Sequence, residues 1–351
     1  MGENESALTV SSSSTGSPSY TVDARVIRFR QELRSNKVNL TDVSKLAYEG
    51  VPDKYGIRPL IWKLLLKYLP VDTATWPELL TRKHKDYAAF CEELVLDPKK
   101  FPDPHNDHPL NQHEDSSWHA YFRDAEMMQQ IDRDVMRTHP DMHFFSGDGE
   151  TSKQHREAIK RALFVYAKLN PGIKYVQGMN EIYAPIYYQF ATDTNTEAAM
   201  HAEADAFFCF VELISEFRDH FCQHLDNSAV GIRATIARLN SMLQASDPEL
   251  WAHLEQKNKV NPQFYAFRWI TLLLTQEFLF PDVVRLWDSL FSDPGGHMDC
   301  LLRFCIAMLL NIREELLQGD FSQNIKLLQR YPPVDVHAII HQAMQLKLAS
   351  T

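Results

Sequence analysis

The sequence predicts an all-α fold. Apolar residues recur at helical spacing in several long segments, and stretches that alternate apolar and polar residues around Asn-Gly or Asp-Gly turns are lacking. No repeat of fixed period is visible. The chain has 351 residues, of which 44% are hydrophobic and 23% charged, so it can bury a sizeable core in one large domain or two smaller ones.

Five segments carry the helical pattern. The first begins at Pro59, which suits the first turn of a helix, and is predicted to end before Pro70. The second ends at Leu169, where the sequence Asn170-Pro171-Gly172 stops it. The remaining three predicted helices are long runs: 203–220, 264–280 and 298–316.

Two regions lack this pattern. Residues 1–22 include the run SSSSTGSPS and are predicted to form a disordered tail, because they carry too little apolar surface to order themselves. Residues 97–118 are rich in Pro, Asp, His and Asn and are predicted to form a long surface loop. The first six residues match the myristoylation pattern formally, but glutamate directly after Gly2 is a poor context, so modification is not expected.

Composition excludes several classes of protein. The net charge is 36 − 46 = −10, which argues against a nucleic-acid binder and against general adhesion to anionic membranes. Five cysteines at irregular spacing indicate free thiols in a reducing compartment. No stretch of 18 apolar residues occurs, so no membrane span is expected.

Common catalytic signatures are also missing. His105, His108 and His113 lie in the polar loop, which offers no rigid frame for a metal, and no metal site is predicted. The glycine-rich phosphate-binding motifs and the Gly-x-Ser-x-Gly elbow do not occur. We therefore do not expect this chain to bind and hydrolyse a nucleotide by itself.

One candidate stretch runs from Gln130 to Pro140. On a helix, Ile131 and Asp134 share a face, as do Asp134 and Arg137. A carboxylate one turn before an arginine can hold the guanidinium in a chosen rotamer, and catalysis at developing negative charge needs such a fixed cation. An exposed ion pair of about 0.3–0.5 kcal/mol is the alternative, and the pattern alone favours it.

The other candidate stretch is KYVQGMNE, residues 174–181. Tyr175 and Gln177 are two positions apart and point the same way in an extended chain. Gln177 can both accept and donate a hydrogen bond, which suits holding a water molecule, and Gly178 lets another backbone approach closely. Taken alone, the stretch is better explained as a turn that links two helices.

Together the two stretches resemble the paired fingerprint of the TBC-domain GTPase-activating proteins for Rab GTPases. Three more blocks of this sequence resemble blocks of the family and occur in the same order along the chain. The resemblance covers about residues 45–345. The long loop before Ile131 and the run 130–145 resemble one subgroup, in a plant-like form. In the middle block the family usually has Phe-Trp, where this chain has Phe-Phe. These blocks are Gly56-Ile-Arg58-Pro-Leu-Ile-Trp62, Glu203–Phe208, and Phe280-Pro281 with Arg285-Leu-Trp287-Asp288.

The resemblance implies a two-lobed helical domain over residues 23–345. The first lobe would extend to about residue 200 and carry both fingers, and the second lobe would span 201–345. Gly56, Arg58 and Trp62 would be structural, as would Trp287 and Asp288, because a tryptophan on a helix usually lies in the core.

The resemblance also implies a mechanism. Arg137 would neutralise charge on the transferred phosphoryl group of a GTP-loaded Rab, and Gln177 would orient the attacking water. Asp134 would hold Arg137, and Ile131 would seat its helix in the core. The Gln177 loop would be supported by three further residues: Tyr175, Gly178 and Asn180.

Several expectations follow about partners and location. The chain would need no cofactor, because the Rab binds the GTP and Mg²⁺. It would be cytoplasmic, with transient recruitment to endomembranes through the Rab and no nucleic-acid partner. A catalytically silent Rab-binding adaptor and an α-helical scaffold remain alternatives.

Overall fold

The computed structural model describes residues 18–95, 117–221 and 231–350, and most of these residues are helical. Those residues form seventeen α-helices and no sheet, and their one extended pairing is an isolated bridge between Lys37 and Asp72. The predicted all-α class is therefore confirmed. Over the same ranges, no helix is both long enough and apolar enough to cross a membrane.

Eight helices precede residue 201. They are α1 Pro18–Leu33, α2 Leu40–Tyr48, α3 Ile57–Leu65, α4 Trp76–Leu94, α5 Ser117–Met136, α6 Glu150–Leu169, α7 Met179–Ala191 and α8 Thr196–Met200.

Nine helices follow. They are α9 Ala202–Phe221, α10 Ile232–Ser246, α11 Pro248–Trp251, α12 Gln263–Thr271, α13 Phe280–Ser292, α14 His297–Asn311, α15 Arg313–Gln318, α16 Phe321–Gln329 and α17 Val336–Ser350.

The predicted helices at 159–169 and 203–220 are confirmed as parts of α6 and α9. The helix predicted from Pro59 begins at Ile57 and ends at Leu65, before Lys67 takes a positive φ of 60°. Residues 1–17 of the predicted tail lie outside the described residues, as do 97–116 of the predicted loop. Helix α1 begins inside the predicted tail, at Pro18.

The continuous helix predicted over 264–280 is wrong. Helix α12 ends at Thr271, and Leu273 and Leu274 then adopt positive φ values of 49° and 64°. Helix α13 begins at Phe280 and carries Pro281 in its first turn, where a missing N–H costs nothing. Leu273 and Leu274 are buried, so the apolar spacing continues past the end of α12 and could not reveal the break.

The run 298–316 is also divided. Helix α14 ends at Asn311 and helix α15 begins at Arg313, with Ile312 buried between them at φ −110°. The apolar spacing continues across this residue, so the change of direction left no mark in the sequence.

A buried carboxylate joins the beginning of the chain to α13. Asp288 accepts hydrogen bonds from the Arg58 Nε at 3.0 Å and from the indole N–H of Trp62 at 2.8 Å. Its other oxygen accepts from the Val51 backbone N–H at 2.8 Å. The indole of Trp287 packs 6.0 Å from that of Trp62, ring centre to ring centre. We call these five residues, Val51, Arg58, Trp62, Trp287 and Asp288, the clamp.

Gly56 positions the start of α3. Its φ is 63°, and a Cβ there would overlap the carboxylate of Asp193, just past the end of α7. The turn into the helix that carries Arg58 and Trp62 therefore requires glycine.

Helix α9 packs with helices that come before it in the chain. Its Asp205 accepts a hydrogen bond from Tyr68 at 2.7 Å, and its Glu203 accepts one from Tyr87 at 2.6 Å. Phe207 is buried, and Phe208 stacks on Tyr68 with ring centres 5.9 Å apart. The pair Phe207-Phe208 thus occupies the position where the family that the sequence resembles usually has Phe-Trp.

Candidate functional site

The two candidate stretches meet at one carboxylate. Asp134 is buried near the end of α5, where its Oδ1 accepts a hydrogen bond from the Arg137 Nη2 at 2.7 Å. Its Oδ2 accepts another from the hydroxyl of Tyr175, also at 2.7 Å. One side chain therefore fixes both the arginine and the segment that contains Gln177, although they lie about forty positions apart in the chain.

Local structure explains why Arg137 faces outward. Helix α5 ends at Met136, and the Arg137 N–H makes a turn bond to the Asp134 carbonyl at 3.2 Å. Ile131, one turn before Asp134 on the same helix, is fully buried. The bond from Nη2 to Asp134 holds the Arg137 guanidinium, and 59% of the side chain is exposed to solvent.

An amide network supports this helix end. Asn180 is buried, and its Nδ2 donates to the Thr138 hydroxyl at 2.8 Å and to the Asp134 carbonyl at 3.3 Å. The Thr138 hydroxyl in turn donates to the same carbonyl at 3.0 Å. Helix α7 thus donates to one carbonyl group at the C-terminus of α5, and the carbonyl groups of a helix end need partners from outside the helix.

The segment that carries Gln177 is a tight loop between α6 and α7. The Lys174 N–H donates to the Asn170 carbonyl at 2.8 Å, and Lys174 has a positive φ of 62°. Gln177 is exposed, whereas Tyr175 two positions earlier is buried. The loop therefore presents the carboxamide to solvent from a fixed base.

Gly178 is required here for two reasons. Its φ is 101°, and a Cβ would lie 2.5 Å from the Leu272 Cδ2. The sequence predicts space for another backbone, but within the chain the close neighbour is a side chain from the turn after α12. The second half of the chain therefore packs directly against the start of α7.

Burial sets the protonation of the supporting groups. It raises the pKa of Tyr175 far above its usual range, and the hydrogen bond to Asp134 adds to this effect, so the hydroxyl keeps its proton and donates. Burial also raises the pKa of Glu181, while hydrogen bonds from Gln276 and Asn180 lower it. Glu181 therefore links α7 to the segment between α12 and α13.

His139 lies next to these groups and is uncharged at neutral pH. Burial lowers its pKa to about 4. Its Nε2 lies 3.9 Å from the nearer oxygen of Glu181, but with a neutral imidazole this contact is not an ion pair. Its ring packs edge-on against Phe280, with ring centres 4.9 Å apart.

Hydrogen bonds join four of the residues predicted for the arginine and glutamine stretches: Asp134, Arg137, Tyr175 and Asn180. Ile131 is buried earlier on α5, Gln177 is exposed two positions after Tyr175, and Gly178 lies against Leu272. The clamp residues and Gly56 form a separate group, and their contacts lie within the protein. Within 18–95, 117–221 and 231–350, no group of three or more His, Cys, Asp or Glu is placed to hold a metal ion.

Sequence reasoning missed three supporting residues: Thr138, Glu181 and Gln276. Thr138 and Glu181 directly follow Arg137 and Asn180, so their nearness was available in the sequence, but their inward orientation was not. Gln276 carries no local signal, because it reaches the site only through the turn after α12.

The fold and this site define a class of all-helical domain with an exposed arginine and an exposed glutamine held by shared buried groups. A family model described as the Rab-GTPase-TBC domain matches residues 55–317. The chain therefore belongs to the Rab-GTPase-TBC domain family.

Relatives within the family agree with this assignment. The human protein TBC1 domain family member 13 is 40% identical over 393 residues, which cover 92% of this chain and 98% of the relative. A TBC domain-containing protein of Schizosaccharomyces pombe is 31% identical over 92% of this chain and 72% of its own length. The subgroup that the loop before Ile131 and the run 130–145 resemble is that of member 13, and the human match confirms this resemblance.

Solved structures agree as well. The crystal structure of the Ypt/Rab-GAP domain of Gyp1p matches with a TM-score of 0.77 and 25% identity, covering 93% of this chain and 98% of that one. The Chlamydomonas flagellar RabGAP TBC domain matches with a TM-score of 0.62 and 18% identity over 95% of each chain, which shows the shared fold.

Proposed function

We propose that this protein is a GTPase-activating protein for a Rab-family GTPase. Arg137 enters the nucleotide site of the GTP-loaded Rab and neutralises charge on the transferred phosphoryl group. Gln177 enters beside it and orients the attacking water. The observation that carries the proposal is the Asp134 carboxylate, which binds Arg137 and Tyr175 together and leaves both predicted fingers exposed.

The surroundings of Arg137 suit this task. A catalytic arginine needs a fixed position and free N–H donors, and the single bond from Nη2 to Asp134 supplies the first without using up the second. The network of Asn180 and Thr138 holds the carbonyl of Asp134 and so limits movement of the helix end. The protein thus presents a cation whose position is set before the partner binds.

The Rab supplies the GTP and Mg²⁺ in this proposal, and the chain contributes protein groups alone. It acts in the cytoplasm and reaches endomembranes through its Rab, ending the signal of the GTP-bound form. Both recruitment and location follow from the partner and are part of the proposal.

Single-turnover hydrolysis of GTP by a panel of Rabs tests this function. We expect Arg137→Ala to lower the accelerated rate by about 10³–10⁵-fold, equivalent to about 4–7 kcal/mol of barrier. Gln177→Ala should lower it substantially as well. Neither variant should change the thermal midpoint by more than a few degrees, because both side chains are exposed.

The alternatives give different results. A silent adaptor would bind a GTP-loaded Rab without accelerating hydrolysis in any member of the panel. A scaffold would show no tighter binding to a Rab loaded with GDP and aluminium fluoride, which mimics the transition state. Acceleration that is lost with Arg137→Ala excludes both.

A further inference from the structure

Two of the three most exposed large apolar side chains among the described residues belong to segments that contact the candidate site. Leu279 is 75% exposed and Met136 is 60% exposed, and the third residue, Met200, is 76% exposed. Isolated surface apolar residues are common and need no explanation, but apolar residues grouped at a functional site mark a contact surface.

Met136 is tied to the site by the chain itself. It is the last residue of α5 and directly precedes Arg137, so the two Cα atoms are about 3.8 Å apart. A partner that receives the guanidinium of Arg137 must therefore come within reach of the Met136 thioether.

Leu279 reaches the same place from the second half of the chain. It directly precedes Phe280, whose ring packs against His139, two positions after Arg137. The segment that ends at Leu279 also contributes Leu272, which lies against Gly178, and Gln276, which bonds Glu181. Both ends of this segment are thus anchored at the finger loops.

We propose that Met136 and Leu279 form an apolar rim that docks on the Rab around its nucleotide site. This inference rests on the proposed function. A specific interface covers about 800 Å² on each partner, a patch roughly 16 Å in radius, so a Rab engaged by both fingers must cover side chains this close to them. The rim would fit a GTPase that carries apolar side chains beside its bound triphosphate.

The rim has a task separate from that of the fingers. Burying apolar surface stabilises the complex before and during the reaction equally, and therefore changes KM and not kcat. Since Met136 precedes residue 201 and Leu279 follows it, the rim would also require both halves of the chain to contact the same Rab. Choice among Rabs would then depend on the apolar surface each offers to these two residues.

The test uses the full chain and the Rab that the parent protein accelerates most in the panel. We expect Met136→Ala and Leu279→Ala each to raise KM by about five- to tenfold, because each removes apolar surface that the complex buries, with kcat changed by less than about twofold. Leu279→Asp should raise KM further. Because both residues are exposed, the thermal midpoints should stay within a few degrees of the parent.

Met200→Ala is the matched control. Met200 is as exposed as Leu279 but lies beyond the C-terminal end of α7, whereas Gln177 precedes its N-terminal end, about 20 Å away for a helix of this length. The KM of the Met200→Ala variant should equal that of the parent protein.

The outcomes separate the two proposals. If KM for both rim variants equals that for Met200→Ala while Arg137→Ala still abolishes acceleration, the rim is wrong and the proposed function stands. A loss of kcat at unchanged KM would also overturn the rim, because it would assign these residues to the chemical step. If the parent protein accelerates no Rab, both proposals fall together.

Discussion

Two arginine–carboxylate pairs in this chain use the same chemistry in different surroundings. In the clamp, the Arg58 side chain is 5% exposed and the Asp288 carboxylate is fully buried and also bound by Trp62 and Val51. At the candidate site, Arg137 is 59% exposed and its partner Asp134 is buried. The difference lies in the arginine, since both carboxylates are inside.

One pair of residue types thus has two different environments in this chain. In the clamp, three donors from residues 51–62 surround the Asp288 carboxylate, which fixes α3 against α13 and keeps the Arg58 side chain 5% exposed. At the candidate site, the carboxylate fixes one end of a guanidinium whose remaining N–H groups face solvent. The first arrangement encloses its arginine within the fold, and the second leaves its arginine open to a partner.

The largest expected difference concerns stability in the clamp. Asp288→Asn removes the buried charge that pairs with Arg58 and leaves the guanidinium with Asp53, whose side chain is 82% exposed, as its remaining acidic partner. We expect a loss of about 3–5 kcal/mol in the free energy of unfolding, measured by denaturant titration. Activity per folded molecule should be unchanged when it is measured without denaturant, at a temperature well below the thermal midpoint. A loss below about 1 kcal/mol would show that the clamp does not hold the fold together.

The pH dependence of stability tests how well His139, two positions after Arg137, is shielded from water. In the unfolded chain, His139 takes up a proton as pH falls through about 6.5, whereas in the folded protein it stays neutral down to about 4. The unfolded state therefore binds more protons in this window, and the free energy of unfolding should fall by up to about 3 kcal/mol between pH 6.5 and 4. Above pH 6.5 this residue adds no pH dependence.

His139→Asn provides the control for this titration. Asparagine tolerates the positive φ of 41° at this position and does not titrate. The variant should be less stable at every pH, because it loses the ring contacts, but its stability should depend less on pH between 6.5 and 4. An unchanged pH dependence would mean that another group is responsible.

The smallest of the three expected effects is at Asp134. Asp134→Asn leaves an exposed Arg137 that water can solvate, so we expect at most about 1–2 kcal/mol of lost stability, less than for Asp288→Asn. The accelerated hydrolysis rate should fall by about 10–100-fold in kcat, because the guanidinium is no longer held in place. Equal stability losses for Asp134→Asn and Asp288→Asn would remove the distinction between the two pairs.

Much of the candidate site was predictable from the sequence. The spacing of Ile131, Asp134 and Arg137 predicts that Asp134 shares a helix face with each of the other two, and its carboxylate does bind the Arg137 guanidinium. The resemblance to the family implied that Ile131 lies in the core, and Ile131 is buried. The stop at Asn170-Pro171-Gly172 likewise predicts where α6 ends. These features depend on contacts between residues close in the chain, which spacing and residue type describe well.

Other features depend on contacts across the chain and were not predictable. The break between α12 and α13 exists because Leu273 and Leu274 turn into the core, where the indole of Trp287 donates to the Leu273 carbonyl at 3.1 Å. That turn brings Leu272 and Gln276 to the start of α7. An apolar run shows that a segment is buried, but its direction is set by the elements that bury it.

The sequence by itself determined that this chain is helical, where several of its helices lie, and which arginine and glutamine merit attention, because periodicity and motif spacing are local properties. Only the tertiary structure decided that Asp134 binds both Arg137 and Tyr175, that Arg58 is enclosed while Arg137 is open, and that Phe280 packs against His139. Those outcomes depend on which distant surfaces exclude water from a group, and a linear pattern does not record that.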